Sequence, residues 1–529
     1  MTDGGTPAMK LTSRRIGVAA AALAATLVLS ACVPTSTPDD DTSITVALPG
    51  SLSNLYVGQE NGILNYYIAS IAQEGLVTLD AEGEIQPALA ESWEQVDDLT
   101  YRYTLREDAA FQDGTAVTVD DVIFSIEMAQ DPELSPGFSF YLSGIVSMEE
   151  TADRELTITL SAPDASFATL MSTTGVLYVT SKAYWEANEG SIGTGEGLLL
   201  GTTPYRVTEF VPDSHVSFER VDTWWGGIPE VENVRVDFIP DENTRLLAAQ
   251  TGNIEVAFNV PFQQADQWAA IEGAEVQFVN DLSYVGLLFD LEVAPFDDVN
   301  VREAVAHAMD RSAVVESVLD GHGEVALAIP TPESLIAAYG DQADARLEAL
   351  PQRDFDLDAA AAALAASSVP DGFTAELTYP ATGPELGRAA LALSANLAEI
   401  GVTIEVREVT IEEWLATIGD GEHGLGYMWY FSTTGDPGEV ISYLYGPENP
   451  SRYSNSAVES LLAEAFVESD PTVRADLILG AEELAQTDLA SFPLWWGQSA
   501  TAFLDGWTID TDTPFVYTNP WPALLTRSE

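Results

Sequence analysis

Phe111-Gln112-Asp113-Gly114-Thr115, followed by Thr118-Val119-Asp120-Asp121-Val122-Ile123-Phe124-Ser125, is the stretch on which the fold of this 529-residue chain turns. Asp113-Gly114 is a hairpin-turn dipeptide, because glycine accepts the positive φ that a tight turn demands. Asp121 stands three residues after Thr118, the spacing of a capping box, in which each side chain takes the other's backbone N–H at a helix start. The helix so opened is expected to present Val122, Ile123 and Ile126 to a core. A tight turn and a capped helix in quick succession point to a chain that mixes strands and helices.

The same mixture extends in both directions. Ser43-Ile44-Thr45-Val46-Ala47-Leu48 alternates as a strand does and then meets Pro49-Gly50. Over 240–252 acids sit in a first helical turn and Gly252 stands where a helix C′ residue belongs; Asn253-Ile254-Glu255-Val256-Ala257 then restarts as a strand. Leu386, Ala390, Leu393, Leu397 and Ile400 share one helical face, Gly401 ends the run, and Val402-Thr403-Ile404-Glu405-Val406 alternates in period two. Repeated α–β steps imply helices covering sheets, so the expected class is α/β, and the length suits two or three domains. No repeat period interrupts the pattern.

The N-terminal end reads as a targeting segment. Lys10, Arg14 and Arg15 precede an apolar run over 16–29, too short for a bilayer span, which takes roughly 20 residues. Ser13-Arg14-Arg15 resembles part of a twin-arginine signal, but Gly17 occupies a position that prefers a large apolar residue, so ordinary Sec export is expected; Met9 is an alternative start. Leu29-Ser30-Ala31-Cys32 resembles the lipobox of bacterial lipoproteins, in which the cysteine is diacylated. Cys32 is the one cysteine in the chain, and two acyl chains hold a protein to a membrane stably where one does not. Segment 33–43 carries two prolines and three consecutive acids with nothing to anchor a core, and reads as a tether. The expectation is therefore a signal peptide over 1–31, then a lipidated cysteine and tether over 32–42, on the extracytoplasmic face of a bacterial cell membrane.

A body without cysteine has no disulfide to support it, so a large apolar core must do so, and 46% hydrophobic residues suffice for one. The formal net charge is −64. Such a surface repels nucleic acid and anionic lipid, which excludes both as partners, while its field attracts cations. Without the leader Lys182 is the one remaining lysine.

A set of motifs in order along the chain carries a resemblance. Pro87-Ala88-Leu89-Ala90-Glu91-Ser92-Trp93 and Tyr101-Arg102-Tyr103-Thr104-Leu105-Arg106 precede the opening stretch. After it come Gly201-Thr202-Thr203-Pro204-Tyr205, Trp224-Trp225-Gly226-Gly227, Ile239-Pro240-Asp241-Glu242, Pro295-Phe296-Asp297-Asp298-Val299-Asn300-Val301-Arg302-Glu303-Ala304, Met309-Asp310-Arg311, Arg452-Tyr453-Ser454-Asn455 and Phe492-Pro493-Leu494. Together they resemble the family 5 extracellular solute-binding proteins, the dipeptide-, oligopeptide- and nickel-binding components of ABC importers. The resemblance implies a periplasmic-binding-protein-like type II fold, with two hinged lobes and an additional subdomain on the first. It places the first lobe at 43–80, 200–285 and 499–529, the accessory subdomain at 81–199 and the second lobe at 286–498.

What the resemblance implies about function is capture of a small-molecule solute, peptide or oligosaccharide-like, by lobe closure, and delivery to ABC permease subunits by a monomer without cofactor or catalytic activity. The segment Tyr427-Met428-Trp429-Tyr430-Phe431-Ser432-Thr433-Thr434-Gly435-Asp436-Pro437 matches the family's aromatic strand ahead of G-D-P, where ligand contacts concentrate. Trp429, Tyr430, Phe431, Thr433 and Asp436 are the candidate binding residues there, joined by Tyr284, Trp495 and Trp496 near the lobe crossovers. An aromatic run also suits a core, and one of two adjacent strand residues should point inward. Peptide-binding members carry an acid three residues before the Asp of G-D-P, for the peptide's ammonium; here that position is Thr433. The departure puts peptide in doubt and leaves Asp436 or another acid to substitute; the aromatic content also suits a sugar.

A secreted acidic hydrolase of saccharides is the alternative from another class, since 84 acidic residues make close carboxylate pairs inevitable. No motif singles out a pair, G-x-S-x-G is missing, and His215, His307, His322 and His423 show no metal spacing. The chain also has no G-x-x-x-x-G-K-[ST] loop with which to hydrolyse ATP itself. A sensor of the same solute would carry the same sequence features.

Overall fold

The computed structural model describes residues 42–60, 62–81, 83–420, 424–432, 434–447, 449–511 and 513–527, without the side chains of 412, 419 and 420. Cys32, Thr433 and His423 lie outside the described residues.

Among the described residues one nine-stranded sheet runs through the body. At its centre Ser43–Leu48 pairs in parallel with Asn233–Phe238 and Val256–Ala257, and His215–Arg220 and Tyr205–Val211 extend it antiparallel beyond Asn233–Phe238. On the other side Val256–Ala257 meets the end of the long strand Ser491–Phe503, which pairs along its length with Glu275–Phe289; Leu425–Phe431 then pairs with the far half of Glu275–Phe289. These two long strands pass from one apolar core into another. Phe503 joins Ile44, Val46, Tyr205, Val216, Val234 and Val236, while Tyr284, Val285, Leu287, Phe289, Phe492 and Trp495 belong to a core with Leu386, Leu393, Ile441 and Ile478. Their pairing is regular from Glu275↔Phe503 to Asn280↔Gln498, slips, and resumes at Tyr284↔Trp496. Leu282 lies in the slip at φ 56, a left-handed conformation rare for a branched residue. The strands approach so closely there that a Cβ on Gly497 would stand 2.1 Å from Ser283 Oγ and 3.0 Å from Asp281 Oδ1.

A third core is built on the four-stranded antiparallel sheet of Ala90–Asp97, Thr100–Leu105, Glu155–Leu160 and Ile145–Ala152, covered by helix Val119–Gln130. The helix starts as its sequence demands. Thr118 Oγ1 accepts from the Asp121 N–H at 3.2 Å and Asp121 Oδ2 from the Thr118 N–H at 3.0 Å. Val122 and Ile126 are fully buried, whereas Ile123 is only partly so and Phe124 and Ala129 take more of the inward face. Gly114 turns at φ 86. Beside it the buried Gln112 side chain donates to the carbonyls of Ala72 and Tyr205, each at 2.8 Å, and accepts from the Gly201 N–H at 3.0 Å. Gln112 thus ties the small sheet's turn to the large sheet, a physical reason for the F-Q-D-G-T and G-T-T-P-Y segments to occur together.

Other motif residues also hold elements in place. The indoles of Trp224 and Trp225 donate to the buried Glu74 carboxylate at 3.3 and 3.1 Å, and the Arg106 guanidinium lies 3.7 Å over the Trp225 ring. Buried Arg302 caps helix Pro471–Asp488 by donating to the carbonyls of Asp488 and Leu489 at 2.8 and 2.9 Å. Tyr453 and Asn455 both donate to Asp488, at 2.7 and 2.9 Å.

Helix Pro384–Glu399 buries Leu386, Ala390, Leu393 and Leu397, and Gly401 ends it at φ 90. It links Thr374–Pro380 to the parallel strand Thr403–Val409. The strand expected over 253–257 is shorter, because the Asn253 N–H closes the preceding helix on the Ala248 carbonyl, so that pairing with Ser43–Leu48 starts only at Glu255.

Candidate functional site

Leu425–Phe431 is an antiparallel partner of Glu275–Phe289, with Tyr430 opposite Tyr284 and Trp429 opposite Val285. Directly opposed residues share a face, so Tyr284, Tyr430 and Trp496 lie on one side of the sheet and Val285, Trp429 and Trp495 on the other. The strand begins buried at Leu425 and becomes partly exposed at Trp429, Tyr430 and Phe431, where it leaves the sheet. The Trp429 ring packs 5.2 Å from that of Phe431 and against Gly383 at the start of helix Pro384–Glu399.

The loop that follows turns on Gly435 at φ 68, and a Cβ there would stand 2.8 Å from the Phe515 ring. Asp436 makes a bidentate ion pair with Arg474, 2.6 and 2.9 Å, with both side chains mostly buried. It also accepts from the Gly438 N–H at 2.7 Å. Asp436 therefore fastens the loop to helix Pro471–Asp488, and its charge is spent on Arg474.

Three residues on, Glu439 is different. Its carboxylate accepts from Thr434 Oγ1 at 2.5 Å, Ser432 Oγ at 2.7 Å and the Tyr430 hydroxyl at 3.2 Å. Among the described residues none with a positive charge reaches it within ion-pair distance. Burial, partly offset by the three hydroxyl donors and reinforced by the nearby Asp436 charge, raises its carboxyl above the usual range. The Tyr430 hydroxyl also meets the Tyr141 hydroxyl at 3.4 Å, and the phenols of Tyr66 and Tyr141 lie close enough to feel the Glu439 charge.

A second group of acids gathers at the slip between the long strands. Burial pushes Asp281 up to about 6, although the Ser283 N–H donates to it at 3.0 Å. The charge of Glu333, which accepts from Asn280 at 2.5 Å, acts on Asp281; those of Asp281 and Glu242 act on Glu385. Carboxylates from the crossing strand and from neighbouring elements thus lie close enough to feel one another's charge.

Not every residue proposed from sequence reaches this region with surface to offer. Tyr284 is 0% and Trp495 3% exposed, both inside the core, because strand Ser491–Phe503 is paired on both edges and covered on both faces. The expectation that one of Trp495 and Trp496 points inward understates their burial. Trp496, 7% exposed, donates to the Ala328 carbonyl at 3.1 Å and borders a small cavity with Asn280, Leu282, Glu324, Thr331 and Glu333. Trp429 and Phe431 stand together on one face of the sheet, Tyr430 lies on the other, and Asp436 is a loop anchor. Glu439, Asp281 and Tyr141 were missed. Glu439 alone left a sequence signal, as an acid closely following G-D-P.

Residues 84–452 match the family described as bacterial extracellular solute-binding proteins, family 5 Middle. Heme-binding protein A of Haemophilus influenzae is 26% identical over 517 residues, covering 89% of this chain and 92% of the relative. Glutathione-binding protein GsiB of Escherichia coli K12 is 25% identical, covering 90% and 93%. The same fold occurs in DppA of Helicobacter pylori in complex with the peptide STSA, at TM-score 0.79 and 23% identity over 92% of this chain and 98% of that one. It occurs again in a Pseudoalteromonas dipeptide-binding protein in complex with Met-Leu, at TM-score 0.80 and 20% identity over 92% and 100%. These are binding proteins of the type II periplasmic architecture, and none supports the hydrolase alternative. With the motifs, the fold and the family match in agreement, the chain belongs to the family 5 bacterial extracellular solute-binding proteins, the solute-capturing components of ABC importers.

Proposed function

We propose that this protein is anchored by a diacylated Cys32 to the outer face of a bacterial membrane and captures a peptide or another small polar or amphipathic solute there. Capture takes place between a first lobe of 43–80, 200–285 and 499–529 and a second lobe of 286–498, with 81–199 as an accessory subdomain. The loaded form is handed to ABC permease subunits.

The observation that carries the solute reading is the end of strand Leu425–Phe431, where three aromatic side chains become partly exposed and one of them, Tyr430, donates to the caged carboxylate of Glu439. Aromatic faces and one fixed polar group are what an orienting small-molecule site needs. The two long strands are the route by which the lobes would move. Their slip at 281–283, with Leu282 in a left-handed conformation, concentrates backbone adjustment in a few residues. Solute contacts to both lobes exist only in the closed form, so binding shifts the population toward it.

The test uses the full-length chain in mild detergent, against dipeptides, tetrapeptides, oligosaccharides, polyamines, nickel–histidine and haem. At least one class is expected to raise the melting temperature and to give saturable calorimetric binding. A panel with no binder, together with turnover of an oligosaccharide, would sink the solute-capture function. Metabolic labelling with an alkynyl palmitate is expected to mark the wild type and not Cys32→Ser; equal labelling of both removes the anchor.

A further inference from the structure

We infer that Asp281, where the two long strands cross between the proposed lobes, makes closure of the lobes respond to pH: closing takes up one proton on its carboxyl and opening releases it. This role rests on the lobe division and closure proposed above and adds a control to them.

The place is set by the strands. Asp281 lies in the slip between Asn280↔Gln498 and Tyr284↔Trp496, so a change of angle between the lobes is concentrated at this residue. It is 9% exposed. The Ser283 N–H donates to it at 3.0 Å, and the facing strand passes it at Gly497, where only a residue without a side chain fits. The neighbouring charge that acts on it most, that of Glu333, is negative.

Its surroundings come from both lobes. From the first lobe, Tyr67 on helix Ile63–Ala72 has its phenol raised by burial and then by the Asp281 charge. From the second, Glu333 accepts from the adjacent Asn280 at 2.5 Å. Glu385, in the first turn of helix Pro384–Glu399, is raised by burial; Arg388 opposes this, and the charges of Glu242 and Asp281 reinforce it. Glu242 is a first-lobe acid whose charge also acts on Arg245. Glu324 borders the same small cavity as Asn280 and Glu333, and it is raised by burial and by the charges of Glu333 and Asp344. Acids of the two lobes therefore gather around the crossing.

The sign follows from contact. Besides the Asn280–Glu333 bond, Gln263 donates to the Val318 carbonyl at 2.8 Å and the His322 ring stacks 3.8 Å from that of Phe278, each a contact between the proposed lobes. With the lobes together, burial pushes Asp281 from 3.8 up to about 6. Parting them removes Glu333 and Glu385 and admits water, which returns the carboxyl toward 3.8. A group raised in the closed form favours closure fully below its open-form value and loses that effect as pH rises through about 6. Complete relaxation on opening makes the closed-to-open ratio fall about tenfold between pH 5 and pH 7.5.

Single-molecule energy transfer on the full-length Cys32→Ser chain in mild detergent, without solute, tests this. Dyes are carried by Thr208→Cys on strand Tyr205–Val211 and Ala395→Cys on helix Pro384–Glu399, both exposed positions. Circular dichroism checks that the fold is kept at each pH. The closed-to-open ratio is expected to fall at least threefold from pH 5 to pH 7.5. Asp281→Asn should stay near the acid value throughout, and Glu333→Gln should respond with its midpoint moved to lower pH. A smaller fall without these substitutions overturns the role of Asp281, as does a response that keeps more than half its size in Asp281→Asn; loss of that response in His322→Phe would assign it to the imidazole instead. If Asp281→Asn does not fold, an unmoved midpoint in Glu333→Gln overturns it equally. When a compound of the panel above binds wild type, either failure leaves solute capture standing. If none binds, solute capture fails and the role of Asp281 falls with it.

Discussion

Asp436 and Glu439 stand three residues apart at the mouth of the same loop, and their surroundings have opposite designs. Asp436 is closed by a bidentate guanidinium and a backbone N–H, while Glu439 is surrounded by hydroxyls and has no countercharge within ion-pair distance among the described residues. A paired carboxylate fixes the chain and has little left for a ligand; an oriented but uncompensated one does not spend its charge on the chain. A residue's place in a motif therefore does not tell which of these tasks it has. The acid inside G-D-P is the anchor, and the acid beyond it is the polar group of the proposed site.

The most severe way to break the contrast is to make Asp436 resemble Glu439. Arg474→Leu removes the guanidinium, which also donates to the Ala465 carbonyl at 3.0 Å, and leaves a mostly buried carboxylate with no partner charge. Breaking one side of a buried pair costs about 3 kcal/mol. Urea denaturation of Arg474→Leu should show a loss of that order, and adding Asp436→Asn should recover a good part of it. Equal stability of Arg474→Leu and wild type would show that the pair is not what fixes the loop.

A third carboxylate supplies the sealed case. Glu482 is 0% exposed; its Oε1 accepts from the Ile329 N–H at 3.1 Å and from Gln486 at 2.8 Å, and its Oε2 has no hydrogen-bond partner among the described residues. Burial, partly offset by those donors, pushes it from 4.5 up to about 7. With the folded value raised, the fold favours the neutral acid. That contribution is full below about pH 4.5 and is lost as pH rises through about 7. Glu482→Gln is expected to match wild type near pH 4 and to exceed it by roughly 2 kcal/mol at pH 8. Other buried acids, such as Glu74 and Asp281, titrate in the same window, so the difference between the two stability curves isolates Glu482. A flat difference curve would mean that this interior tolerates the charge, and the argument drawn from burial at Glu439 would weaken with it.

The architecture was legible in the sequence because its signals are local. The Thr118–Asp121 box, the glycines at 114, 252 and 401, and the period of Leu386, Ala390, Leu393 and Leu397 each depend on neighbours within a few residues. The motifs carried the family for a related reason, since Gln112, Arg302 and Tyr453 hold elements together and their chemistry is constrained by backbone groups. The site was harder to read. Trp495 and Tyr284 have the composition of a binding surface, but strand order puts them inside a core. Asp436 is taken by an arginine 38 residues away, and the ring around Glu439 closes through a tyrosine 289 residues from Tyr430. Which acid is paired and which is not is decided by contacts that only the assembled sheet brings about.

The mildest change tests the far side of that ring. Tyr141 touches Tyr430 through one hydroxyl contact at 3.4 Å, and its own surroundings hold its phenol above the usual range, burial first and the Glu439 charge second. Tyr141→Phe keeps the ring and removes that hydroxyl alone. A long hydroxyl–hydroxyl contact contributes no more than about 0.5 kcal/mol, so the melting temperature of the empty protein should stay within about 1 °C of wild type. If Tyr141 orients Tyr430 toward Glu439, the affinity of whichever compound of the panel binds wild type should fall about twofold. A larger loss than in Glu439→Gln would move the recognition centre from the carboxylate to the phenols. No change in affinity at all would leave the three hydroxyls at 430, 432 and 434 as the whole of the cage, and the core that carries Tyr141 without a hand in its chemistry.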